Sequence, residues 1–170
     1  MSAVVRGYNF ILNGMAVIAG ILIFASFVMI VVDVTMRITG LKPPSFTIAV
    51  VEYILLWFAM LAAPWLLRIK GHVFIDAVKQ FLPGAVQKVI AKLVYSICIV
   101  SSSIYCYHAS GLVYVTWTKE MIDVRSIDMP QWILFGPMPV CFFFLTIEFI
   151  RYLIGIDDMY SQSLAEREGV

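Results

Sequence analysis

The chain has 170 residues, of which 62% are hydrophobic and 14% charged, with a formal net charge of +1 and a mean hydropathy of +0.93. Soluble domains run at about 45–50% apolar and about 25% charged, so a water-soluble globular fold is excluded. The near-neutral balance and the lack of a basic run also exclude nucleic acid as a partner.

The charges fall in clusters. None lies between Arg6 and Asp33, none between Lys92 and Lys119, and none between Asp128 and Glu148, while the stretch from Pro43 to Leu67 carries only Glu52. A span of the hydrocarbon core needs roughly 20 mostly apolar residues, and four stretches meet that need. The expected fold class is therefore an all-α integral membrane protein with four transmembrane helices. They form one membrane domain over residues 1–155, followed by a short cytoplasmic tail over 156–170.

The first helix is expected from Tyr8 to Val32. It is too long for a signal-peptide core and leads into Asp33 instead of a small-residue cleavage site, so it reads as a retained helix in a chain that interacts with the lipid bilayer. Small residues along it, Gly14, Ala19, Gly20 and Ser26 among them, allow close approach of a second helix. A loop follows, with Asp33, Arg37, Lys42 and Pro43–Pro44, where proline blocks helical continuation. The second helix spans Thr47 to Leu67, with Trp57 near its middle and Pro64 near its end, where a kink is expected.

Between Arg68 and Lys92 charged residues alternate with apolar ones. Val78, Phe81 and Leu82 share a helical face, and Asp76, Lys79 and Gln80 point elsewhere. That pattern suits a short amphipathic helix lying in the interface and ended by Pro83–Gly84; an ordinary loop is the alternative. The third helix is expected from Val86 to Val115 and the fourth from Pro130 to Ile154, with proline at a favourable helix start. Lys and Arg counting sets the orientation. The side holding the N-terminus, the middle loop and the tail carries Arg6, Arg68, Lys70, Lys79, Lys88, Lys92, Arg151 and Arg167; the other carries Arg37, Lys42, Lys119 and Arg125. Eight against four predicts both termini in the cytoplasm.

Chemistry is sparse. The three cysteines, Cys98, Cys106 and Cys141, lie inside apolar stretches and form no C-x-x-C, which disfavours a thiol oxidoreductase. The two histidines, His72 in the middle loop and His108 in the third helix, give poor support to a haem clamp, and His108 reads as a hydrogen-bonded helix residue. No nucleophile–base pair, phosphate-binding loop or metal-ligand spacing appears, so neither an enzyme nor a cofactor is expected. Ionisable groups within a bilayer are functional candidates by default, and Glu52 is the deepest. It reads either as a proton or cation site or as a buried clasp between the first two helices or to another subunit, with Arg37 the first candidate partner; Asp33, four residues from Arg37, shares a face with it if the first helix continues. The lack of a mid-span acid on the first helix favours the clasp. Glu148, three residues before Arg151, is expected to pair at the membrane face near Arg68.

Four helices rarely enclose a substrate path, and transport sites usually sit at repeat interfaces near the midplane. A small membrane protein without a site of its own reads as a subunit. Three features carry a family resemblance: Asp33-Val-x-x-Arg37 after the first helix, Glu52 with Trp57 in the second, and Arg68-x-x-Gly71-His72-Val73-x-Ile75-Asp76. Pro83, Pro130 and Arg151 fit the same layout. From Gly7 to Gly155 the chain resembles the small membrane subunit, the DctQ-like Q component, of TRAP (tripartite ATP-independent periplasmic) transporters. Similar subunits often carry paired acids where this chain has Val51–Glu52, and a Gly-Ala step where it has Ala62–Ala63–Pro64.

The resemblance implies a scaffold subunit of a secondary-active, ion-gradient-driven uptake system for an organic acid, a carboxylate or acidic sugar, in the bacterial inner membrane. The implied partners are a large polytopic membrane subunit and a periplasmic substrate-binding protein, with sodium coupling in the large subunit and no cofactor in this chain. By carry-over, Asp33, Arg37, Glu52, Trp57, Arg68, His72, Asp76 and Arg151 form a structural clasp or subunit interface. Arg37, Lys42, Lys119 and Arg125 are candidates for docking the binding protein. The alternative is a small homodimeric proton-coupled exporter using Glu52.

Overall fold

A computed structural model describes residues 3–69, 84–124 and 128–155. The segment expected to form the interfacial helix, with His72 and Asp76, lies outside the described residues, as do Arg125 and the tail. Five helices and one two-stranded ladder are described: α1 (Ala3–Ile38), α2 (Thr47–Arg68), α3 (Gly84–Thr118), β1 (Ile122–Val124), β2 (Asp128–Pro130), α4 (Gln131–Phe135) and α5 (Pro137–Ile154). Four stretches are long and apolar enough to cross a membrane: Arg6–Ile38, Thr47–Arg68, Val89–Thr118 and Gln131–Ile154, the last running through α4 and α5. Helix is the form such stretches take, because every backbone N–H and C=O must be satisfied within the segment when water is absent.

α1 outruns its expected end by six residues, and a glycine decides where it stops. Gly40 adopts φ +78°, and its N–H and that of Leu41 reach back to Arg37 O at 3.2 Å and Met36 O at 2.9 Å. This is a Schellman closure, in which glycine takes the left-handed position without a Cβ penalty. Asp33 and Arg37 thus sit on the last turns of α1, not in a loop. The same closure ends α3: Met121 N–H reaches Thr116 O at 3.2 Å and Glu120 N–H reaches Trp117 O at 3.3 Å. Here the left-handed residue is Glu120, at φ 46°.

Two further differences from the sequence expectation concern the last span. The loop after α3 is not all irregular: β1 and β2 pair antiparallel with Ile122 opposite Pro130, Asp123 opposite Met129 and Val124 opposite Asp128. The fourth helix is also interrupted, at Gly136. Pro137 opens α5 in its first turn, where its missing N–H would have no intrahelical acceptor in any case. Pro64, in contrast, stays inside a continuous α2.

The four spans form an open row. α1 packs along α2, α2 along α5, and α5 along α3. Leu12, Met15, Ala19 and Leu61 make the α1–α2 core, joined by Trp57 and Phe144. Leu67, Ala91, Tyr95 and Tyr152 gather α2, α3 and α5 at the end that carries the N-terminus. α1 and α3 stand at the two edges, each with one packed flank. Large apolar side chains cover the outside, with Phe10 80% and Phe24 68% exposed. Surface of that kind is stable against lipid and unstable against water.

Candidate functional site

The polar side chains collect at the two ends of the row. At the N-terminal end, Glu148 on α5 is 2% exposed, among the most buried side chains in the protein. Its carboxylate accepts from Arg151 Nη1 at 3.1 and 3.3 Å. The i, i+3 spacing puts both on one face of α5. The Arg151 guanidinium also lies 5.4 Å from the ring centre of Tyr8 on α1, and that of Arg68 on α2 lies 5.6 Å from it. One tyrosine ring is therefore flanked by two cations from two helices, a geometry in which the ring quadrupole attracts both. Tyr152 donates to Leu67 O at 2.8 Å, capping one of the carbonyls that the end of α2 leaves open. Tyr8 Oη lies against the Glu148 carboxylate, and Asn9 Oδ1 and Arg68 Nη1 are buried here without a hydrogen-bond partner. The expected pairing of Glu148 with Arg151 near Arg68 is present, and Tyr8 is the member that spacing did not disclose.

At the opposite end, Arg37 Nε donates to Asp33 Oδ2 at 2.7 Å, with the Arg37 side chain 55% and that of Asp33 12% exposed. The sequence offers Arg37 two partners, Glu52 and Asp33; the structure gives its Nε to Asp33, because α1 continues as helix and brings the i, i+4 pair onto one face. Glu52 lies on the exposed surface of α2, not buried between α1 and α2. Trp57 Nε1 donates to Ile133 O at 2.9 Å, and Tyr53 Oη donates to Asp123 Oδ2 at 3.2 Å. α2 is thereby tied to α4 and to the β1–β2 hairpin. Trp117 and Trp132 meet edge to face with centres 4.8 Å apart, as aromatic residues at a membrane boundary commonly do. Lys42 and Lys119 are exposed at this end.

Between the ends, chemistry is scarce among the described residues. Thr146 on α5 approaches Ser102 on α3, Oγ1 to Oγ, at 2.9 Å, and Ser102 donates to Cys98 O at 2.7 Å. That gives Ser102 a packing role across two spans. His108 is exposed on α3 and makes no hydrogen bond to a described residue, which corrects the expectation that it is hydrogen-bonded; its neighbour in contact is Tyr107, ring centre to ring centre 5.5 Å. No group of three or more His, Cys, Asp or Glu could hold a metal among the described residues. A groove of about 600 Å³ between α1 and α2 is lined by Ala16, Gly20, Phe58, Ala62 and Trp65, with Asn13 as its polar group. It contains no ionisable side chain, so it offers nothing to recognise a charged solute.

Four apolar spans in a row, with ion pairs confined to the ends, define a multi-pass helical membrane protein. The pattern of one family, the DctQ component of tripartite ATP-independent periplasmic transporters, matches residues 13–157. The chain belongs to that family: it is a TRAP transporter small membrane component, as its Asp33, Arg37, Glu52 and Arg68 motifs suggested. No curated protein and no solved structure matches it.

Proposed function

We propose that this chain is a static scaffold subunit of an ion-gradient-driven symporter that takes up an organic acid, a carboxylate or an acidic sugar, across the bacterial inner membrane. The observation that supports it most is the open row. Four spans that close on themselves could line a path of their own; four spans in a row leave two broad faces for other membrane segments and lipid. On this reading the large polytopic subunit holds substrate and sodium, and this chain widens the platform against which it moves.

Both termini face the cytoplasm in this proposal, as the eight-to-four distribution of Lys and Arg favours. The Arg68–Glu148–Arg151 cluster then lies at the cytoplasmic boundary, and the segment after Arg68 lies along the interface as an amphipathic helix. The hairpin end faces the periplasm, and on this reading Arg37, Lys42, Lys119 and Arg125 meet the binding protein. Asp33, Arg37, Glu52, Trp57, Arg68, His72, Asp76 and Arg151 hold the subunit in shape or in contact with the large one.

The test is a mild-detergent pull-down of the tagged chain from membranes expressing the whole system, with mass spectrometry of what accompanies it. A stoichiometric large polytopic protein is the expected result. Recovery as a homodimer alone would remove the scaffold reading in favour of a self-contained proton-coupled exporter, for which Glu52→Gln would abolish transport while leaving assembly intact.

A further inference from the structure

The two edges of the row are chemically different. Between Phe10 and Val32, α1 exposes a single polar side chain, Asn13; Ser26, the other polar residue there, is buried and donates to its own helix. The α3 edge differs. Its span runs Val89–Thr118, so its centre lies near residues 103–104. Ser96, Ser103 and Ser110 are exposed, as are Val100, Tyr107 and Tyr114, with Tyr107 78% and Tyr114 69% exposed. At about 1.5 Å per residue, Ser103 is at the middle of the span and Tyr107 within about 6 Å of it. His108 adds an exposed imidazole at the same depth.

These residues follow a register. Val100, Tyr107 and Tyr114 recur every seven residues, and Ser96, Ser103 and Ser110 recur every seven at an offset of three. That is the a and d pattern of a helix that packs against another with a left-handed crossing. From Ser96 to Ser110 it extends about 21 Å, most of the roughly 30 Å hydrocarbon thickness. Ser96 and Ser110 donate to their own backbone, at 2.9 Å to Lys92 O and 2.8 Å to Cys106 O. They act there as small residues that admit a close neighbour. Ser103, Tyr107, Tyr114 and His108 make no hydrogen bond to a described residue. For Ser103, Tyr107 and His108, all near mid-span, lipid tails cannot supply one, whereas a protein neighbour can; Tyr114, about 16 Å from the centre, lies at the boundary.

We propose that the exposed face of α3 is the docking seam for a transmembrane helix of the large subunit, and that the outer face of α1 is turned to lipid. The inference rests on the scaffold reading above, which supplies a large membrane partner. The docked helix carries small residues opposite Tyr107 and Tyr114 and polar groups that accept from their hydroxyls and from Ser103.

The experiment uses the complete transporter in membranes. A photoreactive benzophenone amino acid replaces Tyr107, already a large aromatic on the seam, in one version and Phe24, on the outer face of α1, in another. Irradiation should join the Tyr107 version to the large subunit and leave the Phe24 version unlinked. In parallel, Ser103→Trp should lower the co-purified large subunit by about tenfold, as a bulky ring in a close seam does, and Phe24→Trp should leave it unchanged. Linkage from Phe24 and not from Tyr107 would overturn the inference while the scaffold reading stands. Linkage of Tyr107 to a second copy of this chain would overturn it too. Absence of the large subunit from the unmodified preparation would remove both the inference and the reading beneath it.

Discussion

Arg151→Met tests whether the charged cluster at the N-terminal end holds α5 to α1 and α2. Glu148 is 2% exposed, and the hydrogen bonds to its carboxylate come from one guanidinium nitrogen, at 3.1 and 3.3 Å. Methionine keeps much of the aliphatic stem, so the loss is mainly of charge. Removing one member of a buried pair typically costs about 3–5 kcal/mol, because the remaining charge keeps its desolvation and loses its compensation. The Arg151 side chain is 20% exposed, and water can partly screen the carboxylate once the guanidinium is gone. An expected cost of about 2–3 kcal/mol follows, including the lost contact with Tyr8. Glu148→Gln combined with Arg151→Met should recover much of this, since no buried carboxylate is left without its partner. The assay is unfolding of the purified chain in mild detergent, run as a double-mutant cycle. A coupling energy above about 1 kcal/mol is expected. Arg37→Met serves as the control; its pair is the more exposed one, and its effect should be clearly smaller. Equal effects of Arg151→Met and Arg37→Met, or additive behaviour in the cycle, would refute the reasoning.

Trp57→Phe keeps an aromatic ring but removes the pyrrole half of the indole, and with it the donor to Ile133 O. It should cost about 0.5–1.5 kcal/mol, more if the carbonyl finds no water, as measured in the same unfolding assay; no change would mean that α4 is not held to α2 through this bond. Gly40 takes a left-handed conformation with open space around it, so Gly40→Ala should cost about 1–2 kcal/mol from backbone strain alone. Glu120→Gly, at the equivalent position after α3, should cost nothing or stabilise slightly. The reverse order of these two effects would show that the helix ends are not closed as described.

The spans and the family were legible because bilayer crossing leaves a coarse mark, long gaps between charges. The finer features were less so. Charge at Asp33 and Arg37 suggests a loop, yet an i, i+4 ion pair is compatible with helix to its last turn, and Gly40 is what ends it. The interruption at Gly136 had a visible cause in Gly136–Pro137, next to Pro139, but was overridden by the apolar run around it. The spatial order of the spans could not be read at all. A helix that faces lipid is apolar on every side, so its sequence does not say which side meets a neighbour. Tyr8, Tyr53 and Tyr152 were missed for a related reason. Tyrosine is common near membrane boundaries without being bonded, and only the fold tells which hydroxyls and rings meet a partner from another helix.

Lipid tails are as apolar as leucine, so burial of apolar surface does not hold helices together in a membrane, and directional contacts and close packing must. Those contacts are unevenly shared here. α2 and α5 are joined by Tyr152 to Leu67 O, α3 and α5 by Thr146 to Ser102, and α2 to the hairpin and α4 by Tyr53 and Trp57. α1 reaches another span through Tyr8, which lies against the Glu148 carboxylate. It is held by Leu12, Met15 and Ala19 against Leu61, and by the Tyr8 ring between Arg68 and Arg151. Ala19 gives the close approach that dispersion needs, and Tyr8 sets the position of α1 along α2 and α5. α2, α3 and α5 are therefore a bonded unit, and α1 is an edge attached by shape and by one aromatic ring. An apolar edge attached in this way suits lipid on its outer side, whereas the α3 edge exposes Ser103, Tyr107 and His108 near mid-span.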